Sequence, residues 1–234
     1  MSVRRLHSVQ PGSFAFTPPN LAWAAAKIAE YPQGRQASAV IPLLWRAQEQ
    51  EGWVSKPAIE AVARMLDMPY VRVLEVATFY TQFLLAPVGT VAHVQVCGTT
   101  PCRLRGAGEL LDLCHKRIAP HAHEISPDGK FSWEEVECLG ACVNAPMVLI
   151  GSDTFEDLTA GSFEAVLDGF AKGTRPKPGP QTDRQFSAPE GGERTLTDPA
   201  LFDGSSIGAW RTAFDERERA RAEKAVAAAA AKKA

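Results

Sequence analysis

Four of the chain's five cysteines fall in two short loops, Cys97-Gly-Thr-Thr-Pro-Cys102 and Cys138-Leu-Gly-Ala-Cys142. Two cysteines a few residues apart can place two thiolates on one metal centre. Two such pairs, brought together by a fold, supply four thiolates. That set suits a structural zinc, and it equally suits a [2Fe–2S] cluster with two thiolates per iron. Spacing does not separate the two, because zinc-binding pairs also tolerate about two to four intervening residues. Burial alone gives cysteines no reason to appear as matched pairs in loops rich in Gly and Pro. Small neighbours suit an inorganic centre close to backbone: Gly98, Thr99 and Thr100 in one loop, Gly140 and Ala141 in the other. Cys102 falls at an expected helix start, where the helix dipole favours a thiolate. Arg103 and Arg105 would stabilise added negative charge there, and Glu134, Glu135 and Glu137 would oppose it; solvated surface is the simpler expectation for each. The fifth cysteine, Cys114, sits mid-helix at an apolar position and reads as a buried spectator.

The motif CGTTPC, followed at this distance by ECLGACVNAP, resembles the thioredoxin-like [2Fe–2S] ferredoxin family. The stretches IPLLWRAQEQEGW at 41–53 and VATFYTQF at 76–83 also match, and the resemblance covers roughly residues 14–171. It implies an α+β chain, with an N-terminal helical subdomain followed by a thioredoxin-like α/β domain. One [2Fe–2S] cluster is implied on Cys97, Cys102, Cys138 and Cys142, the first pair on one iron and the second on the other. Members of the family include the small iron–sulfur subunit in the NADH-oxidising arm of respiratory complex I. The role implied is therefore electron transfer within a proton-translocating NADH:quinone oxidoreductase. A partner flavoprotein subunit would oxidise NADH at FMN, and this chain would exchange single electrons with that FMN. Other peripheral-arm subunits would be its further neighbours. The chain would not be catalytic alone. Its place would be cytoplasmic, peripheral on the inner face of a bacterial plasma membrane through the complex, with the mitochondrial matrix side as the alternative. Equivalent chains serve NAD-linked hydrogenases and formate dehydrogenases, so the motif defines the module more narrowly than its host.

Rival chemistries have less support. A thiol–disulfide oxidoreductase normally needs C-x-x-C, which is absent from the sequence. A zinc-stabilised interaction module fits the cysteine spacing and nothing else in particular. No GxGxxG, no P-loop and no Ser/His/Asp pattern placed to act is found, and His93, His115, His121 and His123 show no metal-ligand spacing with the cysteines. NADH and flavin are therefore expected on a partner rather than on this chain.

Composition bounds the rest. The 234 residues allow one large domain or two small ones, and 45% hydrophobic with 22% charged residues is ordinary for a globular protein. A net charge of −2 argues against a general nucleic-acid binder. No apolar run is long enough for a membrane-spanning helix. Five cysteines are too few for a disulfide scaffold, and an odd one fits a reducing compartment. The opening MSVRRLHSV carries two arginines, and no acid precedes Glu30. It reads as a flexible arm rather than a transit peptide, and it has no secretory apolar core.

The elements that must hold the cysteines follow from pattern. Residues 1–19, with Pro11, Gly12, Pro18 and Pro19, form an irregular arm. A helical subdomain is expected over 20–88, with Asn20 capping a helix to about Glu30. Its second helix is expected at 36–50, with Val40, Ile41, Leu44 and Ala47 inward and Gly52 as the stop. A third is capped by Ser55, and a fourth starts at Asp67 and Pro69. These two also read like a helix-turn-helix. Arg72 against Glu75 gives too little positive charge for DNA, so packing is expected instead. Trp45, Trp53, Phe79, Tyr80 and Phe83 exceed what four short helices need among themselves, which suggests a subunit interface. The thioredoxin-like domain is expected at 89–171: a strand at 91–96 ending at Cys97, a helix at 102–117, a hairpin from Ile125 through Pro127-Asp128-Gly129 to Phe131–Val136, a strand at 146–150 and a closing helix at 161–171. Both cysteine loops then lie at one end of the sheet. Residues 172–234 read as an extended tail, beginning with a Gly/Pro linker over 173–192 and ending in an Ala-rich segment of helical propensity. The tail carries 12 basic and 9 acidic residues. A solubilising role is the simpler expectation for it.

Overall fold

Pro18 and Pro19 open the first helix, α1 (Pro18–Ala29). Their fixed φ suits a first turn, whose N–H groups have no partner within the helix. The expected cap, Asn20, lies inside the helix, and its amide donates instead to Gln50 Oε1 at 2.9 Å. A 3₁₀ turn at Gln36–Ala39 leads into α2 (Val40–Glu51), which places Pro42 in the first α-turn. The helix starts later than its pattern suggested. It buries Val40, Leu43, Leu44 and Ala47, with Ile41 only partly covered. Gly52 ends it in the left-handed region at φ 82°, and its N–H bonds to Gln48 O.

Ser55 caps α3 (Lys56–Met65), its hydroxyl accepting from the Ala58 N–H at 3.3 Å. Such a cap is worth about 1 kcal/mol. The next helix, α4 (Tyr70–Phe79), starts beyond the expected Asp67, which takes φ 51°. Arg72 pairs with Glu75 at 2.9 Å, and the two helices pack on each other around Ile59, Val62 and Val73. The N-terminal arm is not the free segment its composition implied. Arg4 donates to the carbonyls of Tyr80 at 2.9 Å, of Ala77 and Thr78 at 3.4 Å, and of Phe83. The end of a helix leaves carbonyls without partners, and a guanidinium has five donors to offer them. The His7 N–H also bonds to Leu85 O, and Phe16 is buried in the same core.

A second core lies on a sheet. The structure, a computed structural model, describes residues 4–184, 187–189, 191–192, 194–201, 203, 212–221 and 223. Among them the sheet has five strands, in the order β2-β1-β3-β4-β5. These are β1 (Ala92–Cys97), β2 (Phe131–Val136), β3 (Val148–Ile150), β4 (Asp153–Glu156) and β5 (Gly179–Pro180). The pair β1–β2 is parallel, β3 runs antiparallel to both β1 and β4, and β5 is parallel to β4. Alternation puts Val94, Val96, Phe131, Trp133, Val148, Ile150 and Phe155 on one face. They share a core with residues of α6 (Ala107–Arg117) and α7 (Ala160–Ala171).

Three expectations are corrected here. The single helix expected at 102–117 is two, α5 (Thr100–Leu104) and α6, divided where Gly106 takes φ 109°. The first arm of the hairpin is reduced to one bridge, Ile125 to Ser132, with the His123 and Ser126 N–H groups bonding to Trp133 O and Phe131 O on the outer edge of β2. The segment expected to be free tail from 172 onward instead supplies the edge strand β5, and the compact unit holding both cores runs to residue 186. The second unit begins at 187. In it, Pro199–Leu201 form a 3₁₀ turn and residues 212–221 and 223 are helical, while the remaining residues of the Ala-rich segment lie outside the described residues.

Candidate metal centre

Parallel pairing of β1 with β2 decides where the cysteines go. Cys97, the last residue of β1, stands opposite Val136, the last of β2, and the Gly98 N–H bonds across to Val136 O at 2.9 Å. Both chains leave the sheet at the same end. The first turns into α5, which carries Cys102, and the second reaches Cys138 two residues later. A 3₁₀ turn at Cys142–Asn144 then returns the chain through the cis Ala145–Pro146 bond into β3. The Cys97 N–H closes the site by bonding to Met147 O at 3.3 Å.

The two pairs differ in setting. Cys97 and Cys102 are each 1% exposed, in a small cluster with Ala107, Ala145 and Met147. Cys138 and Cys142 are exposed, with their Sγ atoms 3.3 Å apart. Burial pushes the Cys97 thiol up. Hydrogen bonds from the Thr99 hydroxyl and amide, the Cys102 thiol and the Leu139 amide outweigh it and leave Cys97 below its ordinary value. The Leu139 contact links the second loop to the first pair. Burial, the bond to Cys97 and the Cys97 charge push Cys102 up to about 12. Cys138 beside it raises Cys142.

This donor set fits a [2Fe–2S] cluster. Two thiolates on a tetrahedral metal with bonds near ~2.3 Å lie about 3.7 Å apart, so the Cys138–Cys142 pair needs little movement. Among the described residues, no three His, Cys, Asp or Glu side chains are arranged to share one ion. The sulfurs come as two pairs. A cation beside Cys102 would supply the charge that its thiolate lacks.

The surroundings sort the other candidates. A Cβ at Gly98 would lie 1.9 Å from Glu135 Oε1, so only glycine lets that side chain cross the loop. Gly140 takes φ 91°, and its N–H donates to Cys138 Sγ at 3.4 Å. Arg103 pairs with Glu135 at 2.8 Å on the surface. Glu134 departs from the expected solvated charge: it is buried, accepting from Gln95 at 2.7 Å with His93 Nε2 at 3.3 Å. Desolvation raises its pKa, but His93 and Gln95 overcome that and hold the carboxyl below its usual range. Cys114 is buried in α6, and burial pushes its thiol up to about 12, the state of an inert spectator.

Sequence reasoning missed Asn144. It is 2% exposed and the first buried residue after the second cysteine pair. Its side chain donates to Glu156 Oε2 at 2.6 Å and accepts from Arg184 at 2.8 Å. Asn144 stood out only as part of the second cysteine motif, and Arg184 lay in apparent linker.

Comparison with known proteins shows the family. The family model "Thioredoxin-like [2Fe-2S] ferredoxin" matches residues 24–171. An E-type subunit of the NADH-quinone oxidoreductase of Rhizobium meliloti (strain 1021) is 63% identical over 203 residues, 85% of this chain and 74% of that protein. The E-type subunit of the NADH-quinone oxidoreductase of Rickettsia bellii (strain RML369-C) is 51% identical over 157 residues, 67% of this chain and 93% of that protein. A solved NAD+-reducing [NiFe]-hydrogenase in the H2-reduced state superposes with a TM-score of 0.47 and 17% identity, over 56% of this chain and 22% of that one. With a family match over most of its length and a relative at this identity, the chain belongs to the thioredoxin-like [2Fe–2S] ferredoxin family.

Proposed function

We propose that the chain is the electron-transfer iron–sulfur subunit of an NADH:quinone oxidoreductase, and that it exchanges single electrons with the FMN of a partner subunit. Cys97 and Cys102 hold one iron in this reading, and Cys138 and Cys142 hold the other. The observation that carries it is the meeting of two thiol pairs at one end of the sheet, one pair buried and the other open. A bound [2Fe–2S] cluster takes up and returns one electron at a time. The chain's own residues do the remaining work. Cys97 and Cys102 exclude water from one side, Leu139 packs against them, and the Gly140 amide donates to Cys138 Sγ. The open second pair gives an electron a short exit toward a neighbour. The names of the relatives favour this host over a hydrogenase or formate dehydrogenase. No helix among the described residues is long and apolar enough to cross a membrane, so attachment to the inner face of a bacterial plasma membrane runs through the other subunits.

Mild purification from the native source, with mass spectrometry of what accompanies the chain, tests the host. An FMN-binding flavoprotein and peripheral-arm subunits are expected, and the pair, unlike the chain alone, oxidises NADH with an artificial acceptor. Hydrogenase or formate dehydrogenase subunits would move the host assignment. A colourless, zinc-containing monomer would overturn the reading.

A further inference from the structure

The second cysteine loop raises a mechanical problem. From Glu135 to Val143 no residue is buried, yet this stretch carries Cys138 and Cys142. Two thiolates on an exposed loop hold a metal only if something fixes the loop. Asn144 is the nearest fixed point. Its N–H bonds to Ala141 O at 2.9 Å, its carbonyl accepts from the Asp157 N–H at 2.7 Å, and its side-chain amide donates to Glu156. Thr154 Oγ1 holds the other oxygen of Glu156 at 2.7 Å.

What completes this anchor comes from outside the family match, which ends at 171. After α7 the chain turns back across the sheet. Thr174 bonds to Gly169 O through both its N–H, at 3.0 Å, and its hydroxyl, at 2.9 Å. Pro176 then lies so close that a Cβ on Gly169 would be 2.7 Å from its Cγ. Gly179–Pro180 pair with Phe155–Glu156, and the Gln181 N–H bonds to Glu156 O at 2.9 Å. This path delivers Arg184 to the cysteine loop. Its Nη1 donates to Asn144 Oδ1 at 2.8 Å and to Val143 O at 3.3 Å, and its Nε lies 3.4 Å from Asp157 Oδ2. Val143 is the residue directly after Cys142. The Arg184 and Asp157 side chains are 15% and 7% exposed, so the ion pair is sheltered from solvent screening.

We infer that the segment 174–184 is a strap, and that Arg184 at its end is a positioning residue that fixes the Cys138–Cys142 loop through Val143 and Asn144. It touches no sulfur. It acts as outer-shell groups do when they orient a metal's ligands. A guanidinium suits the task, because one fork reaches a carbonyl, a side-chain amide oxygen and a carboxylate together. The inference rests on the proposed ligand roles of Cys138 and Cys142.

The test uses the full-length chain with its cluster reconstituted, in wild-type, Arg184→Ala, Arg184→Lys, Gly169→Ala and Cys142→Ala forms. Cluster loss to an iron chelator is followed by visible absorbance, and the reduced cluster by its paramagnetic resonance spectrum. Arg184→Ala is expected to lose iron about tenfold faster, the lower end for outer-shell changes, with a shifted spectrum. Arg184→Lys restores part of the retention. Gly169→Ala, which displaces the strap far from the cysteines, reproduces the Arg184→Ala behaviour and serves as the test if that variant does not fold. Wild-type loss rates and spectra in both Arg184→Ala and Gly169→Ala would overturn the strap. A cluster kept in Cys142→Ala would instead overturn the ligand reading beneath it.

Discussion

Single residues at the cysteine end have separable duties, and substitution distinguishes them. Cys97 and Cys102 are buried and Cys138 and Cys142 exposed, but in the proposed ligand set the cluster draws on all four thiolates. Cys138→Ala is expected to abolish the red-brown absorbance, and an intact spectrum in that protein would refute the assignment. Cys114→Ser is expected to keep it, because this thiol is buried in α6 and held protonated by that burial. The placing of both cysteine loops at one end of the sheet was legible in the sequence, because paired spacing in Gly-containing loops is a local signal and the strands before them were readable. Glu134 was not legible. Its neighbours Glu135 and Glu137 suggested an outward charged run, whereas on the sheet face away from the α6–α7 core Gln95, opposite it, and His93 bond to the buried carboxylate. Asn144 and Arg184 left no trace either. They meet across 40 residues, and nothing in either local stretch announces the other.

At the scale of elements, what could be read was what periodicity and punctuation encode. Ser55 before α3, Gly52 after α2 and the apolar alternation of β1 and Phe131–Val136 placed the start of α3, the end of α2 and those two strands to within a residue or two. Composition misled where backbone bonding did the work. Four Gly and four Pro in 173–192 looked like linker, yet a strand as short as Gly179–Pro180 needs no apolar pattern to pair with β4. The tail therefore has two parts with different consequences. Ending the chain after residue 186 is expected to leave thermal unfolding and cluster retention unchanged. Ending it after 172 removes β5 and Arg184. Losing about 1–2 kcal/mol of buried hydrogen bonding at roughly 2–4 °C per kcal/mol lowers the melting temperature by several degrees, with faster cluster loss. Equal melting of the two truncated chains would show that the edge strand contributes nothing.

For the molecule as a whole, the question is which surface meets the flavoprotein. Among the exposed apolar side chains of the described residues, two groups bear on this question. Around the cysteine end stand Leu104, 82% exposed, and Val143, 63% exposed. On the helical part, Phe83 turned out to be core, while Phe79 at 76%, Trp45 and Tyr80 remain outside. Under the proposed function, electron exchange that falls steeply with distance would place a flavin partner over the end that carries the open Cys138–Cys142 pair. Leu104, two residues after Cys102, and Val143, directly after Cys142, are the exposed apolar residues beside the cysteines. The aromatic patch on the helical part is then left for other peripheral-arm subunits. The double variant Leu104→Asp, Val143→Asp changes two exposed side chains and should keep fold and cluster. Its affinity for the flavoprotein is expected to fall about tenfold or more, a loss of at least ~1.4 kcal/mol, with slower electron exchange. Phe79→Asp should leave that pair intact and weaken docking of the pair onto the larger complex. Wild-type flavoprotein affinity in the double variant, together with its loss in Phe79→Asp, would move the flavoprotein to the helical face and leave the open cysteine pair without its electron donor.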